Sequence, residues 1–203
     1  MDKTYEKFLR SGMDLAAVGI ECRRENTQYF CTPKGASVFG WAGTDGIHFC
    51  FIRGFGGMVF SVNPMNESQS YVHPLAKDFS DFLRLLLACG NEAALEQAWR
   101  WSREEFEAFL LKNPAAGEGE KTLKELAKAM KLTPMEQPWE YIRKLQSDFD
   151  YSRIKYTEDY YDIDRNPSAE IAFPEWKVYF DGNFWGHHGR AYSGKEIRIH
   201  KEL

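Results

Sequence analysis

Asp45-Gly46-Ile47-His48-Phe49-Cys50-Phe51-Ile52 is the stretch on which the fold of this chain turns. Asp-Gly between apolar runs is a hairpin signal, because both central positions of a two-residue type I′ turn require positive φ. After the turn, side chains alternate between two faces, Ile47, Phe49 and Phe51 on one and His48, Cys50 and Ile52 on the other. Both faces are partly apolar, so the pattern predicts a central strand covered on both sides.

Working outward, Val38, Phe39 and Trp41 predict the strand that precedes the hairpin, and Met58–Val62 and Tyr71–His73 predict two that follow. Gly54-Phe55-Gly56-Gly57 lacks the spacing of a dinucleotide or P-loop fingerprint and reads as a bend between strands. The polar run Asn66–Ser70 supplies another turn. A further strand is expected near Tyr29-Phe30-Cys31, and a short helix over residues 3–10 with Tyr5, Phe8 and Leu9 on one side.

At Asp78 the period changes from two to 3.6. Asp78 is a candidate N-cap, Phe79, Phe82, Leu83 and Leu86 form an apolar stripe, and Gly90 can close the helix in the left-handed region. A helical stretch is expected from Asn91 to about Trp101. Ser102-Arg103-Glu104-Glu105 fits a capping box ahead of Phe106, Phe109 and Leu110. The break Pro114–Gly119 is the best candidate linker, dividing the chain into an α+β domain over 1–113 and a helical plus β region over 114–203. In the latter, Leu123, Leu126, Ala127 and Met130 share a helical face, and Thr133-Pro134-Met135-Glu136 fits a second capping box. Alternation of Trp176, Val178 and Phe180, and of Ile197 and Ile199, returns the chain to β. The expected class is α+β: an antiparallel sheet flanked by helices, with an appended helical and β region.

Composition narrows function. The 203 residues are 43% hydrophobic and 28% charged, ordinary for a globular protein, and the net charge of −4 provides no domain-wide attraction for phosphate backbones. The first residues carry no apolar signal segment, and no apolar run approaches the roughly 18 residues of a membrane span. Cys22, Cys31, Cys50 and Cys89 are widely separated, with no C-x-x-C pair, and read as reduced thiols. A cytoplasmic protein with no cofactor and no membrane association is the expectation.

Candidate chemistry is sparse. His187-His188, with His200 nearby, lacks metal-ligand spacing and is expected to form a solvated turn, so no metal ligand is assigned. Neither a nucleophile elbow nor a cysteine–histidine context is present, and no catalytic residue is assigned. Carboxylates at Glu158, Asp159, Asp162 and Asp164 are dense enough to read as a solvated face, although a hydrolase using them is a weaker alternative. Residues 121–145 resemble a degenerate helix-turn-helix whose turn falls near Lys131. Pro138 would then lie inside the recognition helix, which favours two ordinary packed helices. A nucleic-acid-binding regulator is therefore the alternative reading, and nucleic acid the less favoured partner.

The most suggestive surface is acidic and tyrosine-rich: Tyr151, Tyr156, Asp159, Tyr160, Tyr161 and Asp162. Tyrosine supplies contact area at low entropic cost, and carboxylates steer basic partners. The competing expectation is that these tyrosines pack the chain's own core.

Phe39-Gly40-Trp41 through the Asp45-Gly46 turn, the strand pair ending at Val62, and Tyr71-Val72-His73-Pro74-Leu75-Ala76 running into Phe79-Ser80-Asp81-Phe82-Leu83 carry a further signal. Over residues 38–87 the chain resembles the SUKH superfamily, which includes fungal regulators of cell-wall synthesis and bacterial toxin-immunity proteins. The resemblance implies an α+β sheet fold without catalysis that engages a protein, here a bacterial immunity or interaction module, and the acidic, tyrosine-rich segment would suit a basic toxin domain electrostatically.

Overall fold

A computed structural model describes residues 2–22, 28–43, 45–67, 70–165, 177–178, 184–185, 191–192 and 199–200. The chain divides into two compact units, Met1–Tyr161 and Asp162–Leu203.

Four strands build the sheet of the first unit: β1 (Ala36–Ala42), β2 (Ile47–Ile52), β3 (Val59–Val62) and β4 (Val72–Ala76), antiparallel and in chain order. This is an α+β fold. The hairpin expected at Asp45-Gly46 forms, but with a longer loop. Ala42 pairs with Ile47, and positive φ falls on Gly43 and Gly46 (61° and 74°) rather than on Asp45. Two glycines, each free to take a conformation that L side chains resist, thus replace the two-residue type I′ turn.

The central strand β2 is buried on both faces, as its alternation predicts. On one side Phe49 joins Phe39, Val59, Leu75, Phe79 and Phe82 in the main core. On the other, Cys50 and Ile52 join Cys31, Phe60, Val62, Tyr71, Val72, Ile154 and Tyr160 in a second core. In β1, Val38 pairs with Cys50 while Gly40 pairs with Phe49, so Phe39 is the extra residue of a bulge. Its ring packs edge-on against Phe79 and Phe82, both 5.3 Å away between centroids.

Local chemistry places the helices. Helix α1 (Lys3–Ser11) is capped by the Asp2 carboxylate, which accepts from the Thr4 and Tyr5 N–H groups. Phe8 is buried and Tyr5 packs on Phe79, whereas Leu9 faces solvent. Helix α2 (Phe79–Cys89) starts where Asp78 accepts from the Asp81 N–H at 2.8 Å, and it ends on Gly90 in the left-handed region. Helix α3 (Glu92–Gln97) is shorter than expected and stops before Ala98. Helix α4 (Arg103–Lys112) carries both halves of the Ser102–Glu105 capping box.

Residues 114–161 lie in the same unit as the sheet. Helix α5 (Glu118–Met130) packs on α1 and on a 3-10 turn at Ala16–Val18, and helix α6 (Pro138–Ser147) packs on β4 and α2. The break at Pro114–Gly119 connects α4 to α5.

Two expectations are corrected. Tyr29-Phe30-Cys31 is not a strand: the Thr32 N–H donates to the Tyr29 carbonyl and the Tyr29 N–H to Thr32 Oγ1, which closes a turn. Thr133-Pro134-Met135-Glu136 does not start a helix. The Met135 N–H donates to the Arg84 carbonyl and Arg84 Nε to the Thr133 carbonyl, so this backbone is used against α2. The helix begins instead with Pro138 in its first turn, where a missing N–H costs nothing.

Within Asp162–Leu203, Lys177–Val178 pairs with Ile199–His200 and Phe184–Trp185 with Ala191–Tyr192, both antiparallel. His187 and His188 lie outside the described residues, as do the other ends of the predicted strands.

Candidate functional site

Beside the N-terminal half of β4, residues from four elements line a cleft of about 240 Å3: His73, Trp99, Arg143, Gln146, Ser147 and Tyr151. Strand β4 supplies His73, the segment after α3 supplies Trp99, and α6 supplies the next three. Tyr151 opens a second 3-10 turn, Tyr151–Arg153. Helix α6 presents two faces. Ile142 and Leu145 go into the core, while Arg143, Gln146 and Ser147, spaced i, i+3 and i+4, share the flank that meets the cleft.

The floor is a stacked pair. The His73 imidazole, 8% exposed, lies on the Trp99 indole with centroids 4.4 Å apart and planes 10° from parallel. Its Nε2–H donates to the Ser70 carbonyl at 2.9 Å, so Nδ1 is the acceptor and faces the Tyr151 hydroxyl at 3.5 Å. Burial, opposed by the Ser70 hydrogen bond and helped by the nearby Arg143 charge, brings the imidazole down to about 4. At neutral pH the ring carries no charge.

Arg143 is the cation of the cleft. One guanidinium N–H donates to the Trp99 carbonyl, and the group lies 5.9 Å from the Trp139 ring centroid. It forms no ion pair with any described residue. Of four buried polar atoms that lack hydrogen-bond partners among the described residues, two belong to residues of this cleft: Trp99 Nε1, a donor, and Gln146 Oε1, an acceptor. Gln146 is 7% exposed and commits its Nε2 to the Pro74 carbonyl at 3.3 Å. Both atoms are closed off from solvent, so they are left unpaired within the packing behind the cleft and are not presented to it.

On the other side of α6 a more open depression of about 520 Å3 is lined by Arg84, Met135, Glu136, Gln137, Glu140, Tyr141 and Lys144. Its polar groups are largely spent on one another: the Tyr141 hydroxyl donates to Asp81 at 2.7 Å and accepts from the Lys77 N–H, and Arg84 pairs with Asp81 at 3.2 Å. This network fastens α6 to α2.

The tyrosine-rich segment is divided by the structure. Tyr151 is 39% exposed at the cleft mouth, its ring edge-on to Phe149. Tyr156 and Tyr160 stack at 3.8 Å and Tyr160 is only 6% exposed, edge-on to Tyr71. Tyr161 is 42% exposed and Asp159 is exposed, both on α7 (Glu158–Arg165). Asp162 lies in the same helix, and its side chain is outside the described residues. Tyr160 therefore serves the core, while Tyr151 and Tyr161 keep free surface.

Neither of these two clefts is lined by Asp148, Asp150, Glu158 or Asp159, the carboxylates of the 147–170 run whose side chains are described. Among the described residues no three His, Cys, Asp or Glu are grouped to hold a metal ion, and no helix is long and apolar enough to cross a membrane. In residues 121–145, Lys131 does adopt the left-handed turn conformation (φ 57°), but seven residues, 131–137, separate the two helices.

Of the cleft residues only Tyr151 was a candidate from sequence. The i, i+3, i+4 polar flank of Arg143, Gln146 and Ser147 was the one local signal for the others. His73 and Trp99 have none, because they meet only through the packing of β4 against the chain beyond α3. Comparison with family models, curated proteins and solved structures found no match to this chain.

Proposed function

We propose that this chain is a non-enzymatic protein-binding module that seats its partner on the Trp99–Arg143–Tyr151 cleft. One observation carries the reading: tryptophan, arginine and tyrosine, the residue types that dominate binding hot spots, converge on one concave site. The half-exposed ring of Tyr151 supplies part of its accessible wall.

The resemblance of residues 38–87 to the SUKH superfamily supports the same class of role, and a cytoplasmic immunity function towards a toxin is its most specific form. The test is affinity capture with the intact chain, followed by reconstitution with the purified captured protein. The double variant Arg143→Ala/Tyr151→Ala is expected to lose at least tenfold in affinity, as hot-spot truncations of about 1.4 kcal/mol or more do. Full affinity in that variant would reject the cleft as the contact. Protection of cells from a toxin encoded beside this gene tests the immunity form.

A further inference from the structure

We infer that residues 149–160 form a strap that lifts off the second core while the main core stays folded, and that the Tyr151 wall of the cleft leaves with it. The lifting rests on packing alone; its bearing on the cleft rests on the binding reading above.

The two faces of the sheet are covered differently. Helix α2 lies over the main core with Phe79, Phe82, Leu83, Leu85, Leu86 and Cys89 all buried. The second core, on the other face, is closed by the run that follows α6. Between residues 150 and 159 that run buries Ile154 alone. Its ends are held by rings: Phe149 lies 5.5 Å from both Phe55 and Phe60 between centroids, and Tyr160 is edge-on to Tyr71 at 5.9 Å.

Backbone bonding adds little. Among the described residues, 150–157 reach the rest of the unit through one backbone hydrogen bond, from the Lys34 N–H to the Lys155 carbonyl at 2.7 Å. The bonds from Arg153 to Asp150 and from Ile154 to Tyr151 stay within one turn and would travel with it. Strand β2, by contrast, is laddered on both sides. A segment with so little buried apolar surface and one bond to the body opens at lower free energy than strands paired on two edges.

The strap also carries a wall of the cleft. The Tyr151 hydroxyl faces His73 Nδ1 at 3.5 Å only while the segment is seated. The cleft is thus complete only when the second core is closed. A guest that touches Tyr151 favours the seated strap, because a ligand stabilises the state it binds.

Two cysteines report on the two cores. Cys31 is buried in the second core and Cys89 in the main one. Burial pushes both thiols up to about 12, so each is inert until it is uncovered. Alkylation of the intact chain by iodoacetamide under native conditions, read by peptide mass mapping, times each uncovering. When reclosing outpaces alkylation, each rate follows the population of its open state. Cys31 is expected to react about tenfold or more faster than Cys89.

Two matched substitutions then identify the element that moves. Ile154→Val, in the strap, favours the lifted state and is expected to speed Cys31 about twofold to tenfold. Ile20→Val, in the main core, weakens the seated and lifted states alike. It is expected to speed Cys89 by a similar factor and leave Cys31 unchanged. Equal rates at Cys31 and Cys89 in the unaltered chain overturn the inference. So does an Ile154→Val chain whose Cys31 rate is unmoved, or an Ile20→Val chain in which Cys31 speeds up as much as Cys89. None of these results bears on the binding-module reading, which retention of the captured partner by Arg143→Ala/Tyr151→Ala would defeat by itself.

Discussion

His73 lies flat on Trp99, and the same stack that floors the cleft keeps a histidine neutral inside the fold. His48 is held comparably on the far side of the sheet. Its Nδ1–H donates to the Gly46 carbonyl at 2.8 Å, and Nε2 faces the Thr32 hydroxyl at 3.2 Å. Burial pushes both imidazoles down to about 4. In the unfolded chain they protonate near 6.5, so as pH falls from about 6.5 towards 4 the unfolded state binds protons that the native state refuses. Their stabilisation is complete above pH 6.5 and disappears through that window, on the order of 3 kcal/mol for each ring. Urea midpoints measured from pH 7.5 to 4.5 are expected to fall, and to fall less steeply in His73→Gln and His48→Gln. An unchanged slope in both variants would show that other groups govern the acid limb.

Gly40 sits against Ile20 across the rim of the sheet. A Cβ at Gly40 would lie 2.5 Å from Ile20 Cγ2, and Ile20 is fully buried. Gly40→Ala is expected to destabilise by about 1–3 kcal/mol through overpacking. On an Ile20→Ala background the cost should shrink, since the clashing methyl is gone. A double-mutant cycle by chemical denaturation measures the coupling, and strict additivity would refute the steric account.

Asp78 starts α2 by accepting the Asp81 N–H, and α2 carries Phe79 and Phe82 into the main core. Asp78→Ala is expected to lower stability by about 1 kcal/mol, with Asp78→Asn largely retaining it, because either side-chain oxygen can cap. Equal losses in the two variants would mean that the carboxylate acts through its charge instead.

Lys131 is the one described non-glycine residue with positive φ (57°), where it closes α5. The left-handed region costs a residue with a Cβ roughly 1–2 kcal/mol, partly offset in glycine by its greater chain entropy. Lys131→Gly is therefore expected to raise stability by about 0.5–1 kcal/mol. A lower thermal midpoint in this variant would show that the lysine side chain contributes more than its backbone costs.

The parts of the fold legible in sequence are those governed by short-range chemistry. Asp78, Gly90 and the Ser102–Glu105 pair act within one helical turn, and the structure uses each as its residue type predicts. The two-sided alternation of β2 identifies a buried strand because successive side chains must point to opposite faces. The structure departs from the local pattern where another group takes the backbone, a distant one at Thr133–Glu136 and a neighbouring one at Tyr29–Cys31. Thr133–Glu136 has the residues of a capping box, but Arg84 takes its backbone. Tyr29–Cys31 has strand-forming side chains, but Thr32 closes a turn around them.

The α+β class, the sheet strands and most helix starts follow from propensity, periodicity and capping, which depend on neighbours a few residues away. The cleft depends on none of these. Its walls come from positions 73, 99, 143 and 151, and neither the His73–Trp99 stack nor the unsatisfied Gln146 oxygen exists until β4, α6 and the chain after α3 are packed together. Contact between such distant residues depends on the balance of burial and chain entropy over the whole unit, so this feature belongs to the folded molecule and not to any stretch of its sequence.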